Sequence, residues 1–434
     1  MASAAGERFE RLSTADASNI AIDAPDQVNA FLMAGVLAPG GAVAADGSVD
    51  LEALRSALFE RLPRAKRLRE RVRRDGRFLV WEPVAPDLAH HVRIVRPVDG
   101  IAGLEALCAH LIVTPLPPDR PLWELLIVPG VATARAGIVL RIHHAMADGY
   151  AAVRLAEVLL DPADGSDADA KAVPLASRGI HAPGRPAPRR SPLKAQLRML
   201  VSGVQRTATM VVRRVPRTVL LGRIGPRRGV GFADIDLAAL GAGAHVAGAT
   251  VNDALLVAVV TAAKAALLAR GQPVPETLST SVPVALPDRG DSGNAVGVML
   301  VPLPTRESDI VQRLRHVAAL THAAKQDARS RGTFELTRTR FGARLFMRLA
   351  RHQRLIVMFV SNVPGPRHPL ALAGARLERL WPVTAIQGNV RLGVTAISYD
   401  GVLRCAVHCD ADVLDAAVLA SALRDELARI AALA

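Results

Sequence analysis

Two adjacent histidines, followed at a fixed interval by an aspartate and a glycine, are the residues of this chain best suited to chemistry: His143-His144-Ala145-Met146-Ala147-Asp148-Gly149. Imidazole titrates near neutral pH, so a neutral histidine can take a proton from a hydroxyl as that oxygen attacks a carbonyl. His144 is the candidate base. The role requires one ring nitrogen to be held by a local acceptor while the other faces the substrate, and a strand end supplies backbone carbonyls for this purpose. His143 reads as a supporting neighbour. Asp148 reads as structural, either as a helix N-cap with Gly149 easing the turn, or as half of a salt bridge that braces the loop.

The elements that must position these groups lie on either side. Gly137 to Ile142 is β-branched and apolar and predicts a strand, whereas Gly149 to Leu160 repeats its apolar residues at helical spacing. The pair of histidines therefore ends a strand, and Asp148-Gly149 opens a helix. A second pair, His90-His91, has Val95-Arg96 where Asp-Gly would be needed, and reads as an ordinary entry into a strand.

The seven-residue motif resembles the HHxxxDG signature of the acyl-CoA-dependent acyltransferase superfamily. Further segments, in order, are similar to motifs of the bacterial wax ester synthase/diacylglycerol acyltransferases: Arg11 to Asp16, Pro121-Leu122-Trp123-Glu124, Val251-Asn252-Asp253, Gly293-Asn294, and Ser361-Asn362-Val363-Pro364-Gly365-Pro366. The resemblance implies an α/β fold of two chloramphenicol acetyltransferase-like sandwich subdomains with the active site at their interface. It further implies transfer of a long-chain acyl group from acyl-CoA, as co-substrate and without a bound cofactor, to diacylglycerol or a fatty alcohol. One stretch departs from the family. Pro382 to Asn389 reads Pro-Val-Thr-Ala-Ile-Gln-Gly-Asn, where the family usually has a histidine and a second glycine, so an acceptor other than a glyceride stays open, as does a lipid-surface protein that keeps only the fold.

A covalent route would need an activated nucleophile. The chain has no G-x-S-x-G elbow and no cysteine in a polar loop, so direct transfer is expected. Gly290-Asp291-Ser292-Gly293 matches a protease string in the wrong context and reads as a turn. The three cysteines, Cys108, Cys405 and Cys409, cannot form a disulfide framework. They read as buried apolar residues rather than metal ligands, and no metal is expected.

At 434 residues the chain predicts two domains, placed at 1–165 and 231–434 about a basic linker at 166–230. The formal charge of +14 is concentrated there: Ala170 to Ala233 carries 14 Lys or Arg and no Asp or Glu, leaving 40 of each sign elsewhere. Within it Leu193, Leu197, Leu200, Val204, Ala208, Val211 and Val215 share a helical stripe with arginines around them. Residues 190–228 read either as an interdomain helix or as an interfacial anchor on a membrane or lipid-droplet surface. Specific nucleic-acid binding is disfavoured, because no aromatic residue is present to stack on a base. With no signal peptide and no bilayer-length apolar run recognised, a cytoplasmic protein is expected, peripheral on the membrane face or on lipid droplets.

Elsewhere, Leu51 to Leu62 predicts an amphipathic helix and the basic run Arg64 to Arg77 a solvated helix face. Pro129-Gly130 predicts a turn, and Asn252 the N-cap of a long apolar helix. In the second half, strands are predicted at Thr277 to Leu286, Ala295 to Leu303 and Leu355 to Val360. A hairpin follows about Asp400-Gly401, and a helix over Val413 to Ala432.

Overall fold

The computed structural model describes residues 9–24, 27–163, 215–285, 296–331 and 348–434. The proposed linker helix and the loop carrying Asn294 lie outside the described residues. The first half runs β1 (Glu10–Arg11), α1 (Thr14–Ala21), β2 (Ala30–Leu37), α2 (Leu51–Arg61), β3 (Glu70–Asp75), β4 (Phe78–Pro83), α3 (Leu88–His91), β5 (Val92–Ile94), α4 (Gly100–Leu111), β6 (Trp123–Ala132), β7 (Arg135–His143), α5 (Gly149–Leu159) and β8 (Asp161–Pro162). The second half runs β9 (Arg228–Asp236), α6 (Leu237–His245), α7 (Val251–Ala269), β10 (Thr277–Ala285), β11 (Val296–Pro304), α8 (Ile310–Arg331), β12 (Met358–Val363), β13 (Leu370–Leu372), β14 (Ala375–Thr384), β15 (Leu392–Tyr399), β16 (Val402–Asp410) and α9 (Ala416–Ala431).

These strands form a seven-stranded sheet, β5-β6-β7-β2-β14-β13-β8, a six-stranded sheet, β11-β10-β12-β15-β16-β9, and a small β1-β4-β3 sheet. Both faces of the seven-stranded sheet are covered, so its central strands are apolar on both sides. Phe31, Met33, Leu125 and Leu140 point to α2 and α5, while the alternate residues Leu32, Ala34, Leu126 and Val139 point to α4 and to Val230 and Phe232 of the other sheet. Helices α7 and α9 pack on the far side of the six-stranded sheet. Helix α7 is 19 residues long and apolar enough to span a bilayer by composition, yet it is mostly buried in this core.

The division expected at residue 231 does not hold for the sheets. Strands β13 and β14 come from the second half but join the first half's sheet, β14 pairing with β2 over Leu377 to Thr384. The crossover is fixed by Trp381, which stacks on Phe232 at 4.5 Å and donates to Asp234 Oδ1 at 2.6 Å.

Several local expectations are corrected. Arg64 to Arg77 is two tight turns followed by β3, because Arg71 and Arg73 alternate onto one face and pair with Glu82 on β4, at 2.6 and 3.0 Å. Pro129-Gly130 is a bulge within the β6–β7 pairing, which resumes at Ala132. The N-cap of α7 is Thr250, which forms a capping box with Asp253; Asn252 lies inside the first turn. The strand expected at Leu355 to Val360 is shifted to Met358–Val363, which brings Asn362 into the sheet. His91 is the buried member of its pair, stacked on Trp123 at 4.5 Å. The three cysteines are free and buried, and burial pushes their thiols up.

The Pro121 to Glu124 segment braces the sheet. Glu124 and Arg141 face each other across β6 and β7, both nearly inaccessible and 2.5 Å apart, and Arg141 also donates to the carbonyls of Leu111 and Thr114 behind α4. Removing one partner of such a pair strands a buried charge. Arg141→Met is expected to destabilise the fold by about 3 to 5 kcal/mol in urea denaturation. The double variant Glu124→Leu/Arg141→Met should recover part of that loss; no recovery would mean that the carbonyl bonds of Arg141, not the ion pair, carry its effect.

Candidate active site

The end of β7 is held on every side by main-chain and amide groups. His143 N–H donates to the Leu122 carbonyl at 3.1 Å, which explains why the Pro121 to Glu124 segment belongs beside the histidines, and His144 N–H donates to the Asn29 carbonyl at 2.9 Å. Asn19 Nδ2 donates to the His144 carbonyl at 3.1 Å.

The two rings are in different situations. His143 is buried, and its Nδ1 accepts the Ala145 N–H at 3.0 Å. That bond places the ring proton on Nε2, which donates to Asp23 Oδ2 at 2.9 Å. Both nitrogens are thereby used within the protein. His144 is partly exposed, and its ring lies edge-on to Phe31 with centroids 5.1 Å apart. Its pKa is pushed down to about 4, first by desolvation and then by the neighbouring His143, against smaller opposing effects of the Ala147 carbonyl and Asp23. At neutral pH the ring is uncharged and one nitrogen is available as a base.

Asp148 is the N-cap of α5 and accepts the Ala151 N–H at 2.8 Å. Gly149 follows at a close approach: a Cβ there would lie 3.2 Å from Val363 Cγ2, so the segment containing Asn362 and Pro364 reaches the histidine motif. The turn after β12 needs its glycine as well, since a Cβ on Gly365 would fall 1.8 Å from the Ser398 carbonyl oxygen. Parallel pairing of β12 with β10 puts the last residues of both strands at one end of the sheet. Helix α7 leads back into β10, so Asn252 and Asp253 at its start lie toward that same end. Asp253 is fully engaged, accepting from Thr250 N–H, Thr250 Oγ1 and Thr321 Oγ1 at 2.9, 2.7 and 2.6 Å. Asn252 Nδ2 is buried and has no partner among the described residues.

The divergent stretch Pro382 to Asn389 packs directly on this site. Gln387 Nε2 donates to Asn29 Oδ1 at 2.7 Å, and Gln27 exchanges two bonds with Gly388, at 2.9 and 3.0 Å. The structure thus adds Asn19, Asp23, Asn29 and Gln387 to the candidates. None is within 100 residues of the histidines, and none has a local pattern that would single it out. Trp123 and Glu124 are brought near the site but serve the sheet, with Trp123 Nε1 donating to the Leu68 carbonyl at 2.9 Å. Among the described residues no group of His, Cys, Asp and Glu is arranged to hold a metal ion.

The sequence matches the model of the wax ester synthase/diacylglycerol acyltransferase catalytic domain over residues 12–255 and that of the WS/DGAT C-terminal domain over 292–431. A probable diacylglycerol O-acyltransferase of Mycobacterium tuberculosis is 31% identical over 418 residues, covering 88% of this chain and 89% of its own. Among solved structures, the wax ester synthase/diacylglycerol acyltransferase from Marinobacter aquaeolei VT8 superposes with a TM-score of 0.71 at 21% identity, covering 97% of this chain and 98% of that one. The starter condensation domain of rhizomide synthetase, solved in complex with C8-CoA, superposes with a TM-score of 0.53 at 17% identity, over 98% and 94% of the two chains. With both family domains matched in order about a histidine motif set at the junction of the two sheets, this chain belongs to the wax ester synthase/diacylglycerol acyltransferase family of acyltransferases.

Proposed function

We propose that the protein transfers a long-chain acyl group from acyl-CoA to the hydroxyl of diacylglycerol or of a fatty alcohol, with His144 as general base and no resident cofactor. The observation that carries this reading is the placement of His144 just past the end of β7, in a motif that meets the β12 segment of the second half at Gly149 and Val363. The acceptor hydroxyl gives its proton to the unbonded ring nitrogen as its oxygen attacks the thioester carbon. Collapse of the tetrahedral intermediate breaks the C–S bond, and the imidazolium returns the proton to the thiolate, releasing ester and CoA thiol. Burial that lowers the basicity of His144 makes its imidazolium a strong acid, so the second transfer is favoured. His143 does not touch the reacting atoms in this scheme; with Asp23 it fixes the backbone on which His144 is mounted.

Support for a lipid acceptor comes from the relatives named as diacylglycerol O-acyltransferases, and support for acyl-CoA from the condensation domain bound to C8-CoA. Work at a cytoplasmic membrane face or lipid droplet is supported by the water-insoluble substrates and the basic segment 190–228. Undiminished binding of a chain lacking 195–215 to anionic phosphatidylglycerol vesicles would remove that segment as the anchor.

His144→Ala should lower kcat for palmitoyl-CoA and hexadecanol by roughly 10² to 10⁴-fold, the range of general-base catalysis, with an unchanged circular dichroism spectrum. Turnover within a few-fold of the parent would exclude His144 from the mechanism. The base works when neutral, so kcat/KM should stay level from pH 7 down to about 5 and fall only as pH approaches 4. An acid limb near the ordinary imidazole value would show a solvated ring. Stability follows the same sign. His144 and His408 both have pKa values lowered to about 4, so between the ordinary histidine value and pH 4 the unfolded chain takes up protons that the fold does not. Each histidine then removes about 1.4 kcal/mol per pH unit across that window. His408→Gln should flatten the fall in Tm.

A further inference from the structure

Both main-chain polar groups of His144 are clamped. Its N–H donates to the Asn29 carbonyl at 2.9 Å, and its carbonyl accepts from Asn19 Nδ2 at 3.1 Å. The two clamping residues are bonded to each other, because Asn29 Nδ2 reaches the Asn19 carbonyl and Oδ1 at 3.3 and 3.2 Å. A main-chain carbonyl can only accept, so Asn29 must turn its amide nitrogen toward Asn19 and its Oδ1 toward the opposite side. There the donor is Gln387 Nε2 at 2.7 Å, from a residue 358 positions later in the chain. Asn29 is only 3% exposed, so losing that donor would strand a buried acceptor.

The aim of Gln387 is set by the turn on which it stands. Gly388 has φ +69°, a conformation that favours glycine, and a Cβ there would lie 2.9 Å from the Ala350 carbonyl oxygen. Its N–H and carbonyl are both bonded to the buried side chain of Gln27, at 2.9 and 3.0 Å. Asn389 exchanges two bonds with Gln353, each 2.8 Å long. The two residues after Gln387 are therefore fixed from opposite sides, which leaves its side chain little choice of direction. Any side chain of this length would fill the space, but the acceptor it faces requires a donor.

We propose that Gln387 is a positioning residue for acyl transfer: its amide N–H, by holding Asn29, sets the main chain of His144 from the second half of the chain. The proposal rests on the acyltransferase reading above. Gln387 does not touch the reacting atoms. It orders the amide that carries the base, so its loss acts on turnover and leaves substrate binding as it was. Because the bond joins the two halves, the base is fully ordered only while they are docked on each other.

Two variants separate the donated bond from the space it fills. Gln387→Met keeps the length and removes the donor, whereas Gln387→Glu keeps the shape and sets a carboxylate against Asn29 Oδ1. With palmitoyl-CoA and hexadecanol at about pH 7.5, both should lower kcat by roughly ten- to a hundredfold and leave each KM within about twofold. Acidification distinguishes them, because a protonated glutamic acid can donate again. Asp23, which accepts the Asn29 N–H at 2.7 Å, disfavours a second negative charge beside it. Relative to the parent, Gln387→Glu should regain turnover several-fold between about pH 7.5 and 5, and Gln387→Met should not, a difference that misfolding cannot produce. Hydrogen exchange of the His144 amide should also be faster in Gln387→Met than in the parent. Parent-like turnover of Gln387→Glu at neutral pH, a deficit that does not shrink on acidification, or a raised KM with kcat kept would each overturn the proposal. The last of these would make Gln387 a substrate contact. If the parent protein turns over no substrate, it is the acyltransferase reading that fails; exchange at His144 then tests the bond alone, and an unchanged rate overturns it.

Discussion

Asn29 has no spare hydrogen-bonding group. Its N–H donates to Asp23 Oδ1 at 2.7 Å, its carbonyl accepts from His144 N–H at 2.9 Å, its Nδ2 donates to Asn19, and its Oδ1 accepts from Gln387 Nε2 at 2.7 Å. Each of those partners belongs to a different part of the site. Asp23 holds the ring of His143, Asn19 holds the carbonyl of His144, and Gln387 is the contact from the second half of the chain. An amide that must satisfy all four at once leaves little freedom for the backbone of His144, and a buried amide left unsatisfied would be costly. His144 is therefore positioned by its backbone, and none of these bonds uses its ring.

The same logic explains why the chain crosses over. Were β13 and β14 to stay in the second half's sheet, Gln387 and Gly388 would have no reason to reach Asn29 and Gln27. Because β14 pairs with β2 over Leu377 to Thr384, the residues that follow it emerge beside Asn29, the residue just before β2. The stacked pair Phe232–Trp381, the Trp381–Asp234 bond and the bond from Arg404 to the Glu378 carbonyl at 3.0 Å tie that strand back to the six-stranded sheet. The junction of the two halves is thus a continuous core.

Much of this was readable from local pattern. The strand ending at the histidines, the N-cap at Asp148, the helix after Gly149 and the hairpin about Asp400-Gly401 each depend on residues close in sequence, and each forms as the spacing predicts. Alternation failed where charge hid it: Arg71 and Arg73 look like a solvated helix face until Glu82, 11 and nine residues away, is seen to neutralise them across a hairpin. Asn252 looked like a cap because it precedes an apolar run, but Thr250 two residues earlier makes a reciprocal pair with Asp253 that Asn252 cannot make. Asp23, Asn29 and Gln387 were invisible for a different reason. Their roles follow from pairing over 100 to 360 residues of separation, which no local periodicity encodes.

In the proposed mechanism His144, its pKa lowered to about 4, is a weak base for an alcohol, and this needs a physical reason. The depression comes chiefly from burial, which penalises the lone imidazolium, and burial acts differently once the reaction has begun. As the hydroxyl proton moves to His144, negative charge grows on the attacking and carbonyl oxygens nearby, and the imidazolium is no longer an isolated charge in a poorly solvated site. The penalty that keeps the free ring neutral is relieved in the state with both charges present, so the environment discriminates in favour of the transition state over the resting protonated enzyme. A solvated histidine at the same place would be a stronger base toward bulk water protons and would gain less from the developing oxyanion. In the mechanism proposed above, the apolar shell formed by Phe31, Ala145, Met146 and Ala147 would act through the dielectric it imposes on His144, as well as in the core.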